Sequence, residues 1–321
     1  MASTGRSRLD EALAKDFLSV LDLSAEDLAR LLDLAEQLKA DRRLGRQAPT
    51  ASALAGRHVA MMFEKPSLRT RATFEIATKE LGAEALNVPF ELADGGVREP
   101  LDDVARNLER WVHALVVRTY AQEKVAMMAA AAPRLHVINA LSDEQHPCQA
   151  LADMLTLKEH WGSLRGRRVA FVGDGNNVAT SLAHATALVG ISLQVASPRG
   201  YELPEEVVRA ATRAARDGAQ VRLFTDPREA VSGVDAVYTD VWTSMGQERE
   251  ADRRKQTFSN YQVNADLMAA AAPGALFMHC LPAHRGQEVT SEVLDSPISV
   301  VFDQAENRLH TQKALLLMLL S

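Results

Sequence analysis

The sequence is poor in cysteine, has no long apolar run and carries no excess of positive charge, and each lack excludes a class of protein. Only Cys148 and Cys280 occur, far apart and each inside a polar motif, so no disulfide framework is indicated and a reducing cytoplasm fits. The apolar stretch Ala314 to Leu320 is far too short to span a bilayer and reads as the end of a docked helix. Met1 to Glu11 has no apolar core and carries acids early, unlike a signal or transit peptide. A net charge of −6 argues against a nucleic-acid surface or a membrane-lying basic helix, so any positive site must be local. No repeat or low-complexity segment is present.

What remains is globular material: 321 residues, 47% apolar and 24% charged, enough for roughly two domains of ordinary size. Short apolar runs alternate with helix-period segments. Val59 to Phe63, Ala85 to Val88, Ala114 to Arg118 and Val137 to Leu141 read as strands of one layer. Arg168 to Val172, Leu193 to Arg199, Val221 to Phe224, Ala236 to Trp242 and Leu276 to Cys280 read as strands of a second. The fold class expected is α/β, with two doubly wound parallel sheets. Residues 9–22 read as a helical start, and Ser24 opens a capped helix reaching about Ala40. Ser299 to Phe302 reads as a last strand, before a polar segment and a terminal helix with Arg308 at its start.

The polar clusters fall at strand ends and helix starts, which in such a fold face one cleft. Ser67-Leu68-Arg69-Thr70-Arg71 forms the first turn of a helix that Gly82 closes. It offers free N–H groups, hydroxyls and guanidiniums to an anion, or else is a capped turn whose arginines pair with surface acids. Arg118 ends a buried strand, where a salt bridge is the plain alternative. His146 and Gln149 share one face of a helix that bridges the layers, suited to a carbonyl or phosphate oxygen, or simply to capping.

Gly173-x-Gly175 nearly matches a dinucleotide fingerprint, but no acid follows the next strand, and Asp174, Asn176 and Asn177 suit a zwitterion better. Asp240 ends a strand before a charged stretch to Lys255 that reads as a mobile flap or a solvated loop. His279 and Cys280 raise nucleophilic or metal chemistry, yet no further ligand spacing joins them.

Taken in order, Phe63-Glu-Lys-Pro-Ser-Leu-Arg-Thr-Arg, His146-Pro-Cys-Gln, Asp174-Gly-Asn-Asn, Asp240-Val-Trp-Thr-Ser-Met-Gly, His279-Cys-Leu-Pro and Phe302-Asp-Gln-Ala-Glu-Asn-Arg resemble the ornithine carbamoyltransferase family. The resemblance covers roughly residues 15 to 320. It implies transfer of a carbamoyl group from carbamoyl phosphate to the side-chain amine of L-ornithine, without metal or organic cofactor, for arginine synthesis or citrulline breakdown. It also implies a carbamoyl phosphate domain of residues 1–145 with residues 306–321 packing back on it, an ornithine domain of residues 146–305, and a homotrimer or multiple of trimers. No nucleic acid or membrane partner is implied.

Carried over by position, Ser67, Leu68, Arg69, Thr70, Arg118 and Arg308 would hold phosphate, and His146 and Gln149 the carbamoyl part. Asn177, Asp240, Ser244 and Met245 would take the α-amino acid end of ornithine, with Cys280 and the Leu281 backbone beside the reacting amine. Arg69, Arg118, His146 and Cys280 are the catalytic candidates. Two positions depart from the family pattern. Leu68 replaces the first Thr of Ser-Thr-Arg-Thr-Arg, and Asp94 stands where a Gln or His reaches the neighbouring subunit in relatives.

Overall fold

A computed structural model describes residues 14–90, 99–244, 246 and 248–321. Asp94 and Met245 lie outside the described residues. Two parallel sheets form the two layers. The first is built from β1 (His58–Phe63), β2 (Glu84–Pro89), β3 (Ala114–Arg118) and β4 (His136–Leu141), in the order β2-β1-β3-β4. The second uses β5 (Arg168–Val172), β6 (Ser192–Ala196), β7 (Val221–Phe224), β8 (Ala236–Thr239) and β9 (Leu276–His279), in the order β7-β6-β5-β8-β9. Val59 to Met62, Leu115 to Val117 and Val169 to Val172 are fully buried, as strands covered on both faces must be. In each sheet the strand order reverses at one place, between β1 and β3 and between β5 and β8. Ligands settle at such switch points, beyond the carboxyl ends of the strands.

Helices cover both faces: α1 (Ala25–Asp41), α2 (Arg69–Glu80), α3 (Leu101–Leu108), α4 (Gln122–Ala131), α5 (Pro147–Trp161), α6 (Asn177–Val189), α7 (Glu205–Ala214), α8 (Pro227–Val231), α9 (Ala251–Thr257), α10 (Ala265–Met268), α11 (Ser291–Leu294) and α12 (Val301–Leu320). Ser24 caps α1 as its spacing predicts, accepting the Asp27 N–H at 3.0 Å while Asp27 accepts the Ser24 N–H. The terminal helix α12 packs against α1, α2 and α5, and so returns to the first layer.

Several expectations are corrected. Of the helical start expected over residues 9–22, residues 9–13 lie outside the described residues, and in the described part Phe17 pairs with β4, donating to the Val137 carbonyl at 2.9 Å and accepting from the Asn139 N–H at 2.8 Å. Among the described residues of that segment, Val20–Asp22 alone makes a short 3-10 turn. Asp16 and Asp22 accept backbone N–H groups there, competing with helix formation. The expected strand Ser299 to Phe302 is a single bridge from Ser299 to Phe277, after which helix begins at Val301. Val300 and Val301 look like strand residues, but the helix-forming segment behind them extends the helix forward. Arg308 therefore lies about two turns inside α12 and not at its start. The charged stretch before Lys255 is largely helical, and its Arg254 is buried.

A cationic cleft facing an acidic one

The site is built at the two switch points. Register sets much of it: Phe63 at the end of β1 lies opposite Arg118 at the end of β3, and Thr239 lies opposite His279. Arg118 is thus brought beside the turn that opens α2, and Asp240 beside Cys280.

Ser67 does not cap α2. Leu68 occupies the cap position with helical backbone angles, and no side chain accepts the first N–H groups. Its own side chain is 80% exposed, so this residue offers only its backbone. Arg308, buried on α12, donates to Gln149 Oε1 and to Thr70 Oγ1, both at 2.8 Å. These partners are neutral. No carboxylate among the described residues pairs with Arg69, Arg118 or Arg308, and the Nε atoms of Arg118 and Arg308 have no partner at all. Burial, then the Arg308 and Arg69 charges, pulls Arg118 down to about 10. Buried cations without counter-charge are costly, and their grouping at a helix N-terminus defines an anion site.

His146 stands at the N-cap position of α5 without a side-chain cap bond, and its backbone N–H donates to Ser181 Oγ at 2.8 Å, which ties the bridging helix to α6. Burial and the guanidiniums of Arg308, Arg118 and Arg69 hold its imidazole well below the ordinary histidine value. The ring is neutral at physiological pH, and its Nδ1 has no partner. A neutral ring of this kind can offer a hydrogen bond to an oxygen without carrying a full positive charge.

The opposite wall is acidic and already occupied. Asp240 accepts from Asn176 Nδ2 at 2.8 Å and from the Cys280 thiol at 3.1 Å. Desolvation, with Asp240 alongside, pushes the Cys280 thiol well above its usual value, so it is no thiolate nucleophile. Leu281 is held at φ 58, its N–H donating to His279 Nδ1 at 2.8 Å. Asn177 donates to the Ser142 carbonyl at 2.6 Å, across to the loop between β4 and α5. Ser244 is half-buried on the loop after β8. That loop reaches the first layer, because a side chain at Gly246 would come within 3.3 Å of Tyr120.

Three features escaped the sequence. Arg254 pairs with Asp174 and donates to the Trp242 carbonyl at 2.5 Å, so Asp174 is neutralised from within and braces the loop. Asn176, the neighbour of the predicted Asn177, is the one that holds Asp240. Asp240, His279 and Cys280 bring three possible metal-ligand atoms within 4.8 Å of one another. In that group His279 Nδ1 already accepts a backbone N–H and its Nε2 lies 3.3 Å from the buried Glu288. Gly175, for its part, has a packing reason: a Cβ there would sit 2.4 Å from the Leu203 nitrogen.

Fold and site together define a group-transfer enzyme of the α/β class, with a buried anion pocket in one parallel-sheet layer and an acidic pocket for an amine in the other. Residues 15–159 match the aspartate/ornithine carbamoyltransferase carbamoyl-P binding domain, and residues 165–319 match the Asp/Orn binding domain of the same family. The chain belongs to the aspartate/ornithine carbamoyltransferase family. It is 52% identical to an ornithine carbamoyltransferase of Methanospirillum hungatei over 309 residues, covering 96% of this chain and 100% of that protein. It is 51% identical to one from a Parafrankia strain, covering 96% of each. The solved ornithine carbamoyltransferase of Pyrococcus furiosus superposes with a TM-score of 0.91 at 46% identity, over 96% of this chain and 97% of that one.

Proposed function

We infer that this chain transfers the carbamoyl group of carbamoyl phosphate to the side-chain amine of L-ornithine, giving L-citrulline and phosphate. The observation that carries this reading is the buried set of guanidiniums lacking any acid partner beside a neutral His146, with Asp240 across the cleft. The neutral amine attacks the carbamoyl carbon, charge builds on the carbonyl oxygen, and the carbon–oxygen bond to phosphate breaks as the nitrogen passes its proton to the departing phosphate. Arg69, Arg118, Arg308 and the open N–H groups at Ser67, Leu68 and Thr70 bind the departing phosphate. His146 polarises the carbonyl. Gln149 orients the carbamoyl group and Arg308 together, through the bond at 2.8 Å.

On the other wall, Asp240 takes the α-ammonium of ornithine, helped by Asn177, Ser244 and Met245, while Cys280 and the Leu281 backbone flank the reacting amine. Holding two substrates in one cleft contributes on the order of 7 kcal/mol in well-oriented cases. The division proposed is a carbamoyl phosphate domain of residues 1–145 with 306–321, and an ornithine domain of residues 146–305. We further propose a homotrimer, in keeping with the family resemblance and with the exposed apolar Leu86 and Ile76 near the open β2 edge. A cytoplasmic location is supported by two free cysteines. Light scattering tests the assembly.

The deciding assay offers ornithine, putrescine, aspartate and N-acetylornithine separately with carbamoyl phosphate. Product with ornithine alone is expected. Product with another amine would keep the anion pocket and overturn the roles given to Asp240 and its loop.

A further inference from the structure

One buried carboxylate touches both halves of the cleft and has no part in the scheme above. Asp153 lies on the bridging helix α5, one turn beyond Gln149, and is fully buried. Its Oδ1 accepts from Gln149 Nε2 at 2.9 Å, from Gln304 Nε2 at 2.8 Å and from the Tyr238 hydroxyl at 3.4 Å. Its Oδ2 has no partner.

Each amide has a second end that faces a different substrate. Gln149 Oε1 accepts from Arg308 at 2.8 Å, on the phosphate side. Gln304 Oε1 accepts the His279 N–H at 2.9 Å, at the strand tip that leads into Cys280 and Leu281. An ionised carboxylate can only accept, so it forces both amides to turn their NH2 groups inward. Their oxygens then face the guanidinium and the strand tip. A side chain with no acceptor at that point would leave either amide free to flip, turning an NH2 group against Arg308 or against a backbone N–H. Burial raises Asp153 to about 6, which leaves it ionised at neutral pH.

We propose that Asp153 is a positioning residue which, as shared acceptor for Gln149 and Gln304, orients the anion half and the amine half of the cleft from one point. This rests on the carbamoyl-transfer reading and adds to it a residue that touches neither substrate.

Steady-state kinetics on the full chain test it, with circular dichroism and thermal melts as the control for folding. Asp153→Leu removes the acceptor and should raise the KM of carbamoyl phosphate and of ornithine together, each roughly tenfold or more. Asp153→Asn keeps an accepting oxygen and places its NH2 where Oδ2 has no partner, so it should recover most of the loss. Gln304→Met cuts one arm and should raise the ornithine KM while leaving that of carbamoyl phosphate within about twofold. If the leucine variant does not fold, the asparagine and Gln304 variants carry the test.

A folded Asp153→Leu protein with both KM values unchanged, or with one alone changed, would overturn the proposal. So would an asparagine variant as impaired as the leucine one, or a Gln304→Met effect confined to carbamoyl phosphate. Absence of citrulline from the unmodified chain is a different failure, since it removes the transfer reading itself and this inference with it.

Discussion

The two walls of the cleft are opposite in charge and in completeness. On the anion wall Arg118 and Arg308 are buried beside Arg69, with neutral partners or none. On the amine wall Asp240 is held by Asn176 and Cys280, and Asp174 by Arg254. One wall is therefore unfinished until a ligand brings negative charge, while the other is assembled in advance. The difference teaches where the molecule gives up stability: guanidiniums of like charge are gathered on one wall, a repulsion that a bound anion would relieve.

Replacing a cation on the unfinished wall should have the largest effect. Arg118→Met is expected to lower citrulline formation by about 10²- to 10³-fold, yet to raise the melting temperature by removing one of the like charges. A melting temperature that falls instead would mean that the wall is not repulsive. Next, Asp240→Asn should raise the ornithine KM by about tenfold or more and leave the carbamoyl phosphate KM nearly unchanged. Equal effects on both substrates would sink the division between the walls.

Ligand binding without chemistry sharpens the contrast. Inorganic phosphate at about 100 times its dissociation constant should add about 2.7 kcal/mol of stability, and ornithine alone at the same concentration should add less. Calorimetric melts in each ligand decide this, and a larger ornithine shift would reverse the comparison.

The smallest expected effect lies outside the cleft. His184 on α6 is buried, both ring nitrogens lack partners, and burial lowers it to about 4. Its folded value lies below the unfolded one of roughly 6.5, so the folded state binds fewer protons in acid. The contribution is complete above that unfolded value and is lost as pH falls from there toward 4. His184→Leu should thus lose about 2 kcal/mol less than the unmodified chain between roughly pH 7 and pH 5. His146 titrates in the same sense and Asp153 in the opposite one, so the paired comparison of melts isolates His184.

Much of the fold was legible because its signals are local. Apolar runs such as Ala114 to Arg118 coincide with strands, here β3, and Ser24 caps α1 as its spacing requires. Errors arose where a local signal competed with a neighbouring one. Val300 and Val301 favour strand, but the segment behind them is helical, and Arg308 moved from a helix start to a helix interior. The charged run ending at Lys255 looked solvated because nothing local announces that Arg254 turns inward to Asp174.

By itself the sequence determined the chemistry available: which strands end in arginine, which turn opens with free N–H groups, and which acid follows Thr239. Periodicity and cap chemistry act over a few residues, and they suffice for that. Only the tertiary structure decided the pairings across the chain, Arg308 on Thr70 and Gln149, Cys280 on Asp240, and Asp153 beneath Gln149 and Gln304. Those contacts depend on strand order, on register and on the return of α12 to the first layer, and they set which charges are left unpaired. Burial then turned the same residues into a neutral imidazole, a protonated thiol and guanidiniums without counter-charge, states that depend on solvent exclusion and that no short stretch of sequence encodes.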